Sequence, residues 1–324
     1  MLRKWSRMLL AAAMTGWLQA GALSEAPYPA GPVKLVVPFA PGGTTDVIAR
    51  ILAQGLSAEL GRQFYIENRG GAGGMLGADL VAKAAPDGQS LLVFHSGLVY
   101  APALYKQLPY DVEKDFAPVT LLGSVPSIFI VNRELAVQSV ADFIVLAKAR
   151  PGALNYGSAG VGSSAHLAVE LFQGVADVKV TPVPFRGGGP AVMAVVSGHV
   201  QFMIETAGSV MPQVLSGSVR ALAVTGERRM AELPDVPTMG EAGLQGYLYT
   251  TWYGLWAPAR TPDAIVNKIN AAAAKVLAAA ETRAALEKAG IEAKSMSAER
   301  FGLMVRFELA KWTAFIRGAN ITPQ

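Results

Sequence analysis

From residue 33 onward, short apolar runs alternate with segments of helical period, and that alternation restricts the chain to a sheet layered with helices. Residues 33–39 read as a strand, and 45–60 follow as a helix in which Val47, Ile48, Ile51, Leu52, Leu56 and Leu60 fall close to one face. A strand at 63–67, a helix at 74–84 and a strand at 90–95 complete a βαβαβ series. Such a series predicts an α/β class with a parallel sheet and helices on both faces. The middle repeats the arrangement: strand 128–131, helix 140–149 closed by Arg150-Pro151-Gly152, strand 154–156, helix 165–172, then alternating segments at 179–184, 191–196 and 200–204. Residues 220–225 have the pattern of one more buried strand.

The C-terminal part changes texture. Thr261-Pro262-Asp263 reads as a helix start, with Thr261 as N-cap and Pro262 in the first helical position. That helix runs through Ile265, Ile269 and Val276, Gly290 ends a short successor, and 297–316 form a long terminal helix carrying Trp312 and Phe315. Two α/β halves and a helical return predict two lobes, with the last helices packed back on the first. No internal period of about 20–50 residues is present, which excludes a solenoid.

The chain opens with Arg3, Lys4 and Arg7, an apolar run over 8–18, and Ala20-Gly21-Ala22. This is the layout of a secretory signal peptide over residues 1–22, with a second plausible cut after Ala26; the apolar run is too short to span a bilayer. Removing it takes away three of the 28 basic residues and none of the 24 acidic ones, so the remainder carries a net charge of only +1. The basic pI therefore does not point to nucleic acid or to an anionic membrane. The absence of cysteine excludes disulfides, thiolate metal sites and a lipid-anchored N-terminus. No later stretch has 18 consecutive apolar residues, so the mature chain is not expected to be inserted in a membrane.

Three glycine-rich turns lie where a strand hands over to a helix: Pro41-Gly42-Gly43-Thr44-Thr45-Asp46, then residues 156–164, then Arg186-Gly187-Gly188-Gly189-Pro190. Ligands of open α/β sheets bind beyond the carboxyl ends of the strands, where helix N-termini present free N–H groups. Glycine lets the backbone approach, and Ser and Thr add hydroxyls. Such turns suit carboxylate or phosphate, although a single one is equally explained by turn geometry. Asp46 fits a first-turn helix stabiliser as well as a ligand contact, and 69–74 fits a flexible turn as well as an anion cradle. Residues 160–165 match G-x-G-x-x-A, but the following strand ends without the acidic residue that a ribose requires, which argues against a nucleotide. No G-x-S-x-G or S-x-x-K occurs, and His95, His166 and His199 lack metal-ligand spacing. No catalytic residue, metal or cofactor is expected. His166, two residues after Ser164, fits a helix cap or a packed ring as well as a ligand contact, and His199 reads as structural.

The segments "YPAGPVKLVVPFAPGGTTDVIAR", "ENRGGAGG", "AAPDGQSLL", "LPYDVEKDFAPV", "LNYGSAGVGSSAHLAVELF", "VPFRGGGPA", "RALAVTGERRMAELPDVPTMGEAG" and "WYGLWAPARTP" occur in this order. Together they resemble the Bug family, the extracytoplasmic solute-binding proteins of tripartite tricarboxylate transporters. The resemblance runs from about Tyr28 to Ile321. It implies a type II periplasmic-binding-protein fold, two α/β lobes joined by two crossover strands with a ligand cleft between them. On this chain the crossings are expected near 120–123 and 223–226, giving lobe 1 as 23–121 with 226–324 and lobe 2 as 122–225. The resemblance also implies a periplasmic monomer without enzymatic activity that hands a small carboxylate to membrane permease subunits.

Carried onto this sequence, one carboxylate would be gripped by Phe39, Gly42, Gly43 and Thr44, facing Ser158, Ala159, Ser163 and Ser164. Asp46 and His166 join this set, Ser96-Gly97 matches another family contact loop, and Glu205-Thr206 matches the variable loop that reads the distal end. Departures bear on specificity: Ala40 stands where the family often has proline, Gly70 where it usually has proline, and Glu205 where aspartate is common. His95 has no obvious family counterpart. An acidic Glu205 would repel a second carboxylate, so a monocarboxylate or a zwitterion is expected over citrate. Two other readings of the residues are a periplasmic sensor that docks a receptor or histidine-kinase ectodomain, and an exported hydrolase.

Overall fold

The computed structural model describes residues 28–318, so the expected signal segment lies outside the described residues. Strands β1 (Val33–Val37), β2 (Phe64–Asn68) and β3 (Ser90–His95) pair in parallel in the order β2-β1-β3. They alternate with helices α1 (Thr44–Leu60), α2 (Met75–Ala82) and α3 (Gly97–Leu104). α3 was not expected from sequence. All but one of its residues are buried, so it lacks the polar stripe that gives a helical period.

The architecture turns on β4 (Phe116–Asn132), a strand of 17 residues. Its first part pairs antiparallel with β9 (Thr250–Pro258), from Phe116 opposite Pro258 to Pro126 opposite Thr250. From Ser127 onward it pairs antiparallel with β7 (Phe202–Thr206), and from Ile128 with β8 (Val219–Val224) on its other edge. Sequence reading placed a strand only at 128–131 and a crossing at 120–123, because Pro118, Gly123 and Pro126 interrupt the pattern. The pairing shifts register near two of these, between Pro118 and Thr120 and between Leu121 and Gly123. A strand absorbs such residues at bulges.

Beyond β7 the order continues to β5 (Asn155–Ser158) and β6 (Thr181–Pro184), both parallel. Helices α4 (Val140–Ala149), α5 (Ser164–Ala176), α6 (Gly188–Val196) and α7 (Ala207–Leu215) belong to this half. The sheet is thus mixed, not parallel throughout as its opening strands predict. The chain crosses once through β4 and returns between β8 and β9, which sets β4 and β9 antiparallel. Near the return, Thr225 N–H donates to Ser127 O (2.9 Å) and Tyr249 N–H to Thr225 O (3.1 Å).

Each half has its own aromatic centre. Phe143 stands 4.5 Å from Phe202 and 4.9 Å from Phe129, ring centre to ring centre. In the other half Phe301 lies 5.0 Å from Trp256 and 5.7 Å from Trp252. Phe301 belongs to α10 (Ala298–Gly318), which packs on α3 and β4. Ahead of it come α8 (Asp263–Ala278), α9 (Ala280–Lys288) and the short β10 (Glu292–Ala293). α8 packs on α1 so closely that a Cβ on Gly55 would lie 2.3 Å from Val276 Cγ1. One expected cap is corrected: Pro262, not Thr261, occupies the N-cap of α8, and the Thr261 hydroxyl turns back to donate to Pro258 O at 2.8 Å. Proline's fixed φ and extended ψ at that position end the preceding turn without needing a side-chain cap.

Candidate functional site

The carboxyl ends of β1, β3, β5 and β7 point to one place, and α1, α5, α6 and α7 start there. A cavity with about 270 Å³ of empty space opens between them. The β1–α1 turn contributes Phe39, Gly43, Thr44 and Thr45, and the β5–α5 turn contributes Ala159 and Ser164. Gly188 at the start of α6, with Glu205, Thr206 and Ser209 at the β7–α7 junction, forms the opposite wall; His95 and Tyr253 complete the lining. The first N–H groups of a helix have no intrahelical partner, so Thr45 and Ser164 bring unpaired donors and partial positive charge to the cavity.

The two halves touch on both sides of this space. Ala40 N–H donates to Arg186 O at 2.9 Å, and Thr44 N–H to Ser209 Oγ at 2.9 Å. A Cβ on Gly189 would stand 3.0 Å from Pro41 O. On the second side the Tyr105 hydroxyl donates to Val161 O. Gly73 lies so close to the same carbonyl that a Cβ would fall 2.0 Å from it. Only glycine allows these backbones to meet.

A directed chain of hydroxyls crosses the junction. Glu205 Oε1 accepts from Thr206 N–H (2.7 Å) and from Thr206 Oγ1–H (2.6 Å). Thr206 has thereby used its proton, so Thr44 Oγ1 donates to it across 2.7 Å. Ser209 Oγ then donates to Thr44 Oγ1 at 3.0 Å while accepting the Thr44 N–H. Each hydroxyl donates once and accepts at least once, except that Ser209 accepts from a backbone amide. Burial pushes the Glu205 carboxyl up, and the two bonds from Thr206 oppose that only in part. No cation pairs with it among the described residues. Tyr253, against Thr44 and Thr206, is likewise pushed up by burial, then by the charge of Glu205.

His95 lies flat on Phe39, with ring centres 5.1 Å apart and planes 18° from parallel, and edge-on to Phe94 at 4.9 Å. Gly97 N–H donates to its Nδ1 at 2.8 Å, so the neutral ring carries its proton on Nε2. Burial lowers the pKa of this histidine to about 3. His166 is built in the same way: Gly162 N–H approaches its Nδ1 at 3.4 Å, and its Nε2 is 3.8 Å from Glu170 Oε1. Burial lowers its pKa to about 4.

The structure therefore brings Phe39, Gly43, Thr44, Ala159, Ser164, Glu205 and Thr206 together at one cavity. Glu205 and Thr206 are not in a loop as the resemblance implied; they end strand β7, because both are buried and Glu205 pairs with Ile128. The Thr44 N–H, expected to face a ligand, is held by Ser209. The remaining expected residues stand behind the wall. Ser163 caps α5 through His166 N–H, Ser158 Oγ accepts from Gly160 N–H, and Gly97 orients His95. Ser96 is buried at the N-cap of α3, its N–H bonded to Trp252 O. His199 is exposed and bonded to Ser197.

Asp46 is buried with both oxygens engaged: Gly42 N–H and Arg50 bind Oδ2, and Arg50 and Asn68 bind Oδ1. It fixes the glycine turn rather than lining the cavity. Burial alone would raise its pKa, but the bonds from Arg50, Asn68 and Gly42 outweigh it and hold the carboxyl below its ordinary value. A depressed folded-state pKa adds stability above the unfolded pKa and loses it as pH falls through the folded one. Asp46→Asn is thus expected to cost about 1–3 kcal/mol near neutral pH. In thermal melts, the gap to wild type should narrow as pH falls below about 4.

Thr45, His95, Gly188, Ser209 and Tyr253 line the cavity without having been expected there. Gly188 lay in the third glycine turn, and Tyr253 in the "WYGLWAPARTP" segment, so both had a visible signal. Ser209 had only its place one helical turn after Thr206. Among the described residues no cluster of three His, Asp or Glu side chains offers a metal site, and no helix is long and apolar enough to cross a membrane.

Residues 48–321 match the sequence profile of the tripartite tricarboxylate transporter family receptor. The chain is 39% identical to Protein BugT of Bordetella pertussis over 253 residues, 78% of each chain. Its fold superposes on the periplasmic binding protein BugD with a TM-score of 0.89 at 33% identity, covering 92% of this chain and 100% of the other. It superposes on R. palustris Rpa4515 with adipate with a TM-score of 0.88 at 36% identity, covering 92% and 100%.

Proposed function

The chain belongs to the tripartite tricarboxylate transporter receptor family, and from that premise we propose that it captures a small carboxylate in the periplasm and delivers it to the membrane subunits of such a transporter. The carrying observation is the cavity at the junction of β1–α1 and β5–α5, where two helix N-termini face a space of about 270 Å³. Carboxylates are held there by backbone N–H groups and hydroxyls. Rpa4515, a relative by fold and sequence, holds adipate.

In this reading the halves before and after the crossing in β4 are lobes that close on the ligand. Residues 23–121 with 226–324 form one, and 122–225 the other. Phe39, Gly43 and Thr45 meet the carboxylate from the first lobe, and Ala159 and Ser164 from the second. Glu205, acidic and buried in the far wall, disfavours a second carboxylate, so a monocarboxylate or zwitterion is preferred to citrate.

Native mass spectrometry of gently purified protein tests the reading. A carboxylic acid retained at one per chain, and saturable binding of it by titration calorimetry, is the expected result. A retained molecule lacking a carboxylate, or no heat with any member of a panel of citrate, amino acids and aromatic acids, would overturn it. Delivery is tested separately: deleting the gene should abolish uptake of the identified acid, and unchanged uptake sinks the transport step.

A further inference from the structure

Several polar side-chain atoms of the cavity lining have no hydrogen-bond partner among the described residues, the hydroxyls of Thr45 and Ser164 among them, and two others come from opposite halves. One is Glu205 Oε2. The hydroxyl chain ends on Oε1 and leaves Oε2 next to Gly188, 3.0 Å from where a Cβ would stand. The other is His95 Nε2, which carries the ring proton because Nδ1 accepts from Gly97. Both side chains are only 3% exposed and both line the cavity, so a ligand there displaces the water that would otherwise satisfy either atom. The wall thus offers one neutral N–H donor from the β3 side and one carboxylate acceptor from the β7 side.

A ligand group that satisfies both must accept a hydrogen bond and donate one. An ammonium donates to Glu205 but leaves the His95 N–H unpaired. A second carboxylate accepts from His95 but meets Glu205 oxygen to oxygen. An alkyl end leaves both unpaired. Each unmet buried group costs about 1–3 kcal/mol. A hydroxyl or a primary carboxamide satisfies both, without the desolvation cost that an ammonium ion brings into a buried site.

We propose that His95 and Glu205 together select a small monocarboxylate whose far end bears a neutral group that both donates and accepts, a hydroxyl or a primary carboxamide. This rests on the reading that the glycine turn and its facing helix hold the first carboxylate. Such a ligand also ties the two halves together, because His95 belongs to one and Glu205 to the other.

Titration calorimetry with γ-hydroxybutyrate, succinamate, γ-aminobutyrate and succinate tests the pair, since the four share one carboxylate and differ at the far end. Wild type should bind the hydroxyl and carboxamide acids about tenfold or more tighter than the other two. Glu205→Gln removes the charge at nearly constant shape and should raise succinate affinity about tenfold. His95→Phe keeps the stack on Phe39, removes the donor, and should weaken the hydroxyl and carboxamide acids about tenfold. A wild-type preference for γ-aminobutyrate or succinate overturns the proposal, as does an order unchanged in Glu205→Gln. Should a variant lose its melting transition, the order measured on wild type decides alone. Failure of all four to bind overturns the proposal too. If citrate or an aromatic acid then binds, the carboxylate-receptor reading survives; if no carboxylate binds, both fall.

Discussion

Gly73→Ala is expected to weaken ligand binding by about a hundredfold or more while leaving the fold intact, because its new methyl group meets a backbone carbonyl only where the two halves touch. The Cβ would lie 2.0 Å from the Val161 carbonyl oxygen and 2.5 Å from the Tyr105 hydroxyl, and both separations are shorter than real Cβ contacts. Val161 belongs to the facing half, so in the proposed two-lobe reading that collision disappears when the halves part. The Tyr105 hydroxyl, on the same half as Gly73, must swing aside in either arrangement. Closing against Val161 costs about 3 kcal/mol or more, which is roughly a hundredfold in affinity. Gly73 also has φ +62, and an alanine there costs about 1–2 kcal/mol in either arrangement. That second cost should appear as a melting temperature lower by a few degrees. Calorimetric affinity with solution scattering of the same sample separates the two effects: weak binding should accompany an expanded particle. Wild-type affinity in Gly73→Ala would show that the halves do not need this contact. Tyr105→Phe is the milder companion, losing one hydrogen bond to Val161 and about two- to tenfold in affinity.

Phe301→Ala should have the opposite profile, a large loss of stability with binding spared. Phe301 is fully buried, standing between Trp252 and Trp256 and against the flat surface of Gly254, whose Cβ would lie 2.3 Å from its ring. Truncating a buried phenylalanine to alanine costs about 3–5 kcal/mol. For a chain of this size the melting temperature should fall by on the order of 10 °C. A fall of only a degree or two would mean that α10 is not fastened to the sheet through this ring. Because Phe301 does not line the cavity, ligand affinity below the melting range should stay within about twofold.

Sequence reading found the strands whose apolar runs are bounded by glycine or proline, and it lost those that the same residues interrupt. β1, β3 and β8 were visible for the first reason. Most of β4 was not, since Pro118, Gly123 and Pro126 look like breaks until β9 supplies a partner strand around them. β9 itself, nearly all buried, has no alternation to betray it. At the site, the glycine turns were legible because φ and close approach demand glycine there. Gly42, for example, has φ +89. What sequence could not reveal was which side of each turn faces inward. Asp46 fitted a helix stabiliser as well as a contact and is seen bracing the glycine turn, whereas His95 had no assigned role and stands in the wall. Those outcomes depend on Arg50, Asn68 and Gly97, none of which announces its partner in the primary structure.

The place of β9 also sets the order in which this chain can assemble. β9 lies between β3 and β4, antiparallel to both, with Leu92 opposite Trp256 and Phe116 opposite Pro258. Until Trp256 arrives, β3 has one edge without a neighbour, however well β1 and β2 have formed beside it. The entire β5–β8 half must be synthesised before that edge is covered. Contacts of such long sequence separation slow folding, because loop closure is paid before the pairing rewards it. A nascent chain of this design therefore stays unfinished until nearly its last quarter.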